Sequence, residues 1–506
     1  MTRTRIVVVG NGMAGSRLAE ELRRRDPDGA RLDIVVIGAE AHPAYNRILL
    51  SNVLAGSITG RDTRLKPDGW WERQGIDVRS GVRVTGIDTA ARTVRCDDGT
   101  GAGHEEMGYD ELVLATGSRS FIPPIAGAVD ESGTLVDGVA AFRTIGDCDQ
   151  IIAAATGGSS AVVLGGGLLG LEAARGLLMR GMDVTVVHPK DFPMERQLDP
   201  AGGAVLTRVL TELGMRMVLG RRAVARDAEN RTVVLDDETE LPADLLVLSA
   251  GIRPEVSLAE SAGIAIDQAI VVDDLLRTSA PRVSAIGECA QHRGEVYGLV
   301  QPGWEQAAVV AERLAGENRF ATYHGTANVT RLKAHDIDLA SMGDISAEMH
   351  CSHSEVLTLA DPTRGRYAKV VVREDRVVGA VLLGNPDVVG TLTQLFDAQL
   401  PVPVDRMSLL IGRGSGAGVE VASPATMPGS AVVCRCNSVT KSQLTTAWKA
   451  GSRSVAAMAT ETRATTGCGG CSSVVHGICE WLRNSDPEPR DQPAHETPSI
   501  EEEGAA

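Results

Sequence analysis

The stretch Ile6-Val7-Val8-Val9-Gly10-Asn11-Gly12-Met13-Ala14-Gly15 decides the fold. Four consecutive β-branched apolar residues read as a strand buried on both faces, as in a parallel sheet. Three glycines at G-x-G-x-x-G spacing follow at once. Gly10 permits a tight turn and Gly12 lets the backbone approach a pyrophosphate. Gly15 lets a helix pack closely on the strand, with the phosphate at the helix N-terminus. The helix is predicted through Ser16–Arg25, with Leu18 and Leu22 on one face, and a second strand over Leu32–Ile37. Glu40 follows, about 25 residues after Gly15, where a carboxylate accepts hydrogen bonds from both hydroxyls of a ribose.

The pattern recurs. A strand over Glu111–Leu114 ends in Ala115-Thr116-Gly117. About 155 residues after the first cycle a second begins, which is the mark of an internal repeat. It comprises a strand over Ser160–Leu164, the turn Gly165-Gly166-Gly167-Leu168-Leu169-Gly170, a helix over Leu171–Arg180 and a strand over Val184–Val187. A later strand, Leu245–Leu248, ends in Ser249-Ala250-Gly251. Duplication of a βαβ unit predicts two dinucleotide-binding domains. Glu172 is placed in the first turn of its helix, as a ligand contact or as a favourable partner of the helix dipole. The second cycle has His188 where an Asp or Glu would select a free 2′-hydroxyl. His188 and Lys190 are therefore candidates to tolerate a 2′-phosphate, and the choice between NADH and NADPH stays open.

The chain has 506 residues, which at about 150 per domain suggests roughly three domains. Its net charge of −16 argues against a general nucleic-acid binder, which needs a basic face to neutralise phosphates. No apolar run reaches the roughly 18–20 residues of a membrane helix, and no signal peptide is legible, so a cytoplasmic protein is expected. Three antiparallel strands are predicted over Val356–Leu359, Lys369–Val372 and Val377–Leu382, within a small α+β domain. His350, Cys351 and His353 read as polar strand positions rather than a metal site, because neighbouring residues on a strand point to opposite faces. A Gly/Ser/Pro-rich stretch, Gly412–Ser430, reads as a linker, and Asn484–Ala506 as a disordered tail.

Four of nine cysteines form two close pairs, Cys434-Arg435-Cys436 and Cys468-Gly469-Gly470-Cys471. Four thiolates at this spacing can hold a [2Fe–2S] cluster or structural zinc, and the tight first pair counts against zinc. A helical stretch, Ser442–Ala450, lies between the pairs. Cys479 falls outside the pattern and is expected buried on a helix. Cys96, Cys148 and Cys289 stand alone and read as inert apolar residues.

Taken together, the two glycine turns resemble the two-dinucleotide-binding flavoproteins, such as glutathione reductase and the ferredoxin reductases. The resemblance implies FAD in the first domain and NAD(P)H in the second. It makes Val283-Ser284-Ala285-Ile286-Gly287-Glu288-Cys289 the strand that returns to the FAD domain, with Glu288 at the flavin ribityl chain. Three further stretches resemble the large subunits of NAD(P)H-dependent assimilatory nitrite reductases and the electron-transfer subunits of nitrate reductases. They are His42-Pro43-Ala44-Tyr45-Asn46-Arg47-Ile48-Leu49-Leu50-Ser51, Gly165–Ala174 and Met194-Glu195-Arg196-Gln197-Leu198-Asp199. By that resemblance Arg47 and Ser51 line the FAD site, and Val432–Cys471 resembles a BFD-like [2Fe–2S] domain.

The expected organisation is a glutathione-reductase-like α/β fold. An FAD domain spans 1–145 and 271–322, and an NAD(P)H domain 146–270. A small α+β domain (323–411), a linker (412–430), a helical cluster domain (431–483) and a tail (484–506) follow. No cysteine pattern for sirohaem and a [4Fe–4S] cluster is found, so the chain resembles an electron-input component serving a nitrate or nitrite reductase catalytic subunit. A ferredoxin- or rubredoxin-type reductase of a monooxygenase system, and a redox-sensing regulatory flavoprotein, are the alternatives.

Overall fold

The computed structural model describes residues 3–99, 105–327, 329–334, 337–348, 353–411, 424–434, 437, 439–466 and 471–486. It comprises two compact units, 1–421 and 422–506.

The first unit is built on two parallel sheets. In the first, the strands lie in the order Val283–Ala285, Glu111–Leu114, Thr4–Val9, Leu32–Gly38, Asp77–Ser80. Val9 faces Ile37 on one side and Leu114 on the other. Ile6, Val7 and Val8 are wholly buried, as an unbroken apolar run in a central strand requires. The second sheet runs Arg216–Leu219, Asp183–His188, Ser160–Leu164, Leu245–Leu248, Val139–Ala141. The four leading strands follow the same sequence of connections in both. The fifth differs: it comes from far downstream in the first sheet and from upstream in the second. The segments leaving the two sheets, Ser118–Ser120 and Ile252–Pro254, pair antiparallel as a ribbon.

Both glycine turns open their helices earlier than the sequence suggested. The helices are Met13–Arg25 and Leu168–Met179, with Gly12 and Gly167 as extended N-caps. Gly15 and Gly170 thus lie inside the helices, where an added Cβ would stand 1.9 Å from the carbonyl oxygens of Gly10 and Gly165. Glu172 is consequently in the second helical turn, beyond the reach of the N-terminal dipole effect.

A five-stranded antiparallel sheet follows, ordered Val329–Ala334, Ile337–Gly343, Arg376–Leu383, Arg366–Arg373, Glu355–Asp361. It contains the three predicted strands and two that sequence reading did not find. Its side chains sort by strand alternation. Leu339, Tyr367, Val381 and Leu383 join the core of the second parallel sheet, while Ala340, Ala368, Val370 and Leu382 pack under the helix Pro386–Asp397. Tyr367 Oη donates to Asp199 at 2.7 Å, and the buried Lys369 Nζ lies 3.2 Å from the same carboxylate. His350 and Cys351 lie outside the described residues. His353 is an exposed turn residue preceding the Glu355–Asp361 strand, not a strand position.

The second unit is small and mostly helical. A short hairpin, Val432–Cys434 with Val439–Thr440, leads into helices Lys441–Lys449, Val455–Thr462 and Ser472–Ser485. Leu444, Trp448, Met458, Val475, Ile478 and Cys479 form its core. Thr440 and Gln443 close a capping box on the first of these helices. Of the expected linker, 412–423 lies outside the described residues. Residues 424–430 form turns tied to this unit, with Lys441 Nζ donating to the Met427 carbonyl at 2.6 Å. Asn484 and Ser485 end the last helix rather than begin a tail, and 487–506 lie outside the described residues.

Candidate cofactor sites

At the first glycine turn, Gly10 adopts φ +119°, and a Cβ there would fall 2.1 Å from the Ala115 carbonyl oxygen. Only glycine fits. A Cβ on Gly12 would meet nothing within 4 Å, and no side chain caps the Met13–Arg25 helix. Its first N–H groups therefore face open space at the carboxyl ends of the parallel strands, the arrangement that holds a pyrophosphate. The second turn repeats every element. Gly165 has φ +125° and lies against the Ser249 carbonyl, and Gly167 is open and uncapped. Two cradles of this kind fit the diphosphates of FAD and NAD(P)H.

Around the first cradle the expected residues converge. The Glu40 carboxylate forms an ion pair with Arg47 and accepts the Tyr45 hydroxyl at 2.6 Å. Tyr45 also accepts the Ile145 N–H at 3.3 Å, and burial pushes its phenol well above the ordinary tyrosine range. Ser51 lies on the short helix Leu50–Leu54, half-buried, and no described contact joins its hydroxyl to Glu40 or Arg47. Met13 is held by Trp304, whose Nε1–H donates to the Met13 carbonyl at 3.0 Å. Ala14 faces Gly287, where a Cβ would come within 3.2 Å of the Ala14 methyl. The Gly287 N–H donates to the buried Gln306 side chain at 2.7 Å. Glu288 accepts the Ser118 hydroxyl at 2.6 Å and pairs with Arg143. Thr116 Oγ1 donates to the Glu255 carbonyl at 2.7 Å, and the Glu255 N–H returns to the Gly117 carbonyl, which fixes that turn. Tyr45, Ser118, Arg143, Trp304 and Gln306 were not singled out in the sequence as site residues. Their partners lie too far along the chain for spacing to show them, except for Tyr45.

Around the second cradle the structure revises the expectation for His188. Its ring is buried beneath Gly166, where a Cβ would stand 2.8 Å from His188 Cγ. Nδ1 accepts the Gly166 N–H at 3.0 Å, so the ring proton sits on Nε2 and is donated to Glu195 at 3.0 Å. Both nitrogens are committed, and neither is open to a 2′-phosphate. Lys190 is exposed, with its carbonyl accepting the Gly220 N–H. Leu168 and Leu169 open the helix and pack against the core. Gly251, at φ +113° after Ala250, leaves open space where a Cβ would be.

In the second unit, Cys434 and Cys471 are buried neighbours. Cys434 Sγ accepts the Asn437 amide at 3.6 Å, with the Cys471 thiol and the backbone N–H groups of Thr465 and Asn437 turned toward it. These donors, the Cys471 thiol first, pull the Cys434 pKa below the ordinary thiol range. Cys471 stands at the N-cap position of the Ser472–Ser485 helix without a side-chain capping bond, where the dipole favours a thiolate. Two converging cysteine sulfurs in a nest of N–H donors fit part of the ligand set of an iron–sulfur cluster. Cys436 and Cys468 lie outside the described residues. By contrast, burial raises the thiols of Cys96, Cys148 and Cys289, that of Cys148 to about 12. Among the described residues no helix is long and apolar enough to cross a membrane.

Comparison with known proteins agrees with this reading. Residues 4–312 match the pyridine nucleotide-disulphide oxidoreductase family, 329–399 the rubredoxin NAD+ reductase C-terminal domain, and 432–480 the BFD-like [2Fe-2S] binding domain. The chain is 38% identical over 96% of its length to a nitrite reductase [NAD(P)H] of Bacillus subtilis, covering 58% of that protein. It is 35% identical over 96% of its length to the assimilatory nitrate reductase electron transfer subunit of the same organism, covering 61% of it. The chain thus spans about three-fifths of these relatives. Putidaredoxin reductase, in its covalent complex with putidaredoxin, superposes with a TM-score of 0.70 at 25% identity, covering 81% of this chain and 99% of that one. The chain belongs to the pyridine nucleotide-disulphide oxidoreductase family, an FAD- and NAD(P)H-binding oxidoreductase that carries a BFD-like [2Fe–2S] domain.

Proposed function

We propose that the chain takes electrons from NAD(P)H and delivers them to a nitrate or nitrite reductase catalytic subunit. When bound, FAD would supply acceptance of a hydride as an electron pair and a [2Fe–2S] cluster would supply one-electron transfer, which together would turn two-electron donation into one-electron delivery. The protein binds and orients. The uncapped N–H groups after Gly12 hold the FAD diphosphate, and those after Gly167 the coenzyme diphosphate. Glu40, steadied by Tyr45 and Arg47, accepts the adenosine ribose hydroxyls. Glu288, steadied by Arg143 and Ser118, faces the ribityl chain. Cys434, Cys436, Cys468 and Cys471 ligate the cluster. The FAD-binding part is 1–145 with 271–322, the coenzyme-binding part 146–270 and the cluster-binding part 431–483.

One observation carries the choice of acceptor. The match to nitrite reductases and to the nitrate reductase subunit runs through the cysteine segment, over 96% of the chain. A rubredoxin-NAD(+) reductase and a ferredoxin–NAD(+) reductase component match only 63% and 62% of it. The test is affinity purification from cells grown on nitrate. A nitrate or nitrite reductase subunit that reduces its substrate with NAD(P)H only when this chain is added supports the reading. Turnover with a ferredoxin or rubredoxin, and none with such a subunit, refutes it.

A further inference from the structure

The proposed function gives no role to the segment between the second strand of the coenzyme-binding sheet and its next helix. It is anchored at a strained point. Met194 is buried and left-handed, with φ +56°, a conformation costly for a long side chain. Its N–H donates to the Gly166 carbonyl at 2.9 Å, and its own carbonyl accepts the N–H groups of Gln197 and Leu198. The next residue, Glu195, accepts the Nε2–H of His188, whose Nδ1 takes the Gly166 N–H. Both peptide groups of Gly166, in the middle of the second glycine turn, are therefore bound to one small ring of residues: His188, Glu195 and Met194. The ring delivers a carboxylate to the glycine turn although the strand itself ends without one. In the first sheet an acid, Glu40, stands two residues beyond the strand end at Gly38. The matching place in the second holds Lys190.

We propose that Glu195, seated by His188, makes the second site select NADH over NADPH. One carboxylate oxygen is used by His188, and among the described residues no further partner engages the group. The half-buried carboxylate is thus available to accept a ribose 2′-hydroxyl and to repel a 2′-phosphate. The left-handed Met194 has a reason in this account: it turns the chain so that residue 195 meets His188. Lys190 and Arg196 would attract a 2′-phosphate, but both are exposed, where water and salt screen that attraction. The inference rests on the reading that the second glycine turn holds NAD(P)H.

The test compares kcat/KM for NADH and NADPH, with ferricyanide as acceptor, in the holoenzyme and in Glu195→Gln, which keeps an oxygen for His188 to donate to. The wild type is expected to favour NADH, and the variant to shift the ratio toward NADPH by roughly tenfold. Calorimetry with adenosine 2′,5′-bisphosphate and with AMP gives a readout independent of turnover: the bisphosphate gains affinity in the variant and AMP does not. A wild type that prefers NADPH, or a variant in which both ratios stand still, overturns the inference. A variant that merely loses structure weakens both coenzymes alike, leaves the ratio unmoved and also counts against it. If neither coenzyme reduces the wild-type flavin, the proposed function fails instead.

Discussion

In the first nucleotide-binding half the glycine turn supplies a side chain, Asn11, which stands over a glycine at the strand end, Gly38. In the second half the roles are exchanged: the turn supplies Gly166 and the strand end supplies the ring of His188. One side chain fills the gap in each case, so the same strand–turn–helix frame closes either way. The acids proposed to meet the two riboses also enter differently. Glu40 stands just past its strand and is held by Tyr45 and Arg47, whereas Glu195 arrives on a loop and is held through His188. The shared backbone geometry forms the cradle proposed for each diphosphate, and the filler side chains set what lies beside it.

The largest effect that could break this comparison comes from the tight-turn glycines. Gly10→Ala forces a Cβ against the Ala115 carbonyl at a backbone angle foreign to alanine, at a cost of about 3 kcal/mol or more. The purified variant is expected to lack flavin absorbance. Gly165→Ala carries a similar local penalty against Ser249, yet is expected to retain flavin and lose its reduction by coenzyme. Equal flavin loss in both variants would mean the halves are not separate sites.

The two filler side chains should differ next. His188→Ala leaves the buried Gly166 N–H and Glu195 without their partner, and is expected to lower stability by about 1–3 kcal/mol in denaturant titration. Asn11→Ala removes only the bond from Ser16 Oγ, while the Asn11 Nδ2 is already unpaired, so about 1 kcal/mol or less is expected. The reverse order would show that the exchange of roles is not what holds the turns.

Tyr45→Phe tests the smallest difference, the direct brace on Glu40. It is expected to weaken FAD retention by less than tenfold, measured by flavin release on dilution. The raised phenol pKa has a definite sign. Its contribution to stability is full below the unfolded tyrosine value of about 10 and fades as pH climbs above that. The alkaline decline in stability should therefore be shallower in Tyr45→Phe. An unchanged alkaline limb would contradict the burial of Tyr45.

Much of this was legible in the sequence because it depends on local patterns. The apolar runs, the glycine spacing and the paired cysteines each act over fewer than about ten residues, where periodicity and turn chemistry speak clearly. The helix starts were misplaced because an N-cap glycine gives no side-chain signal, so Met13 and Leu168 looked like parts of the turn. Arg143, Gln306 and Trp304 were invisible because they reach Glu288, Gly287 and Met13 across long stretches of chain. Glu195 was in view as part of a motif. Its contact with His188 depends on the left-handed Met194, which nothing in the side-chain pattern announces.

The central claim is that one chain joins pyridine nucleotide, flavin and cluster. Anaerobic titration of the purified protein with NADH or NADPH, followed by absorbance and low-temperature electron paramagnetic resonance, tests it most directly. Bleaching of the flavin band together with a reduced [2Fe–2S] signal is the predicted result. Zinc in place of iron, or a flavin that bleaches while the iron–sulfur centre stays oxidised, would contradict it.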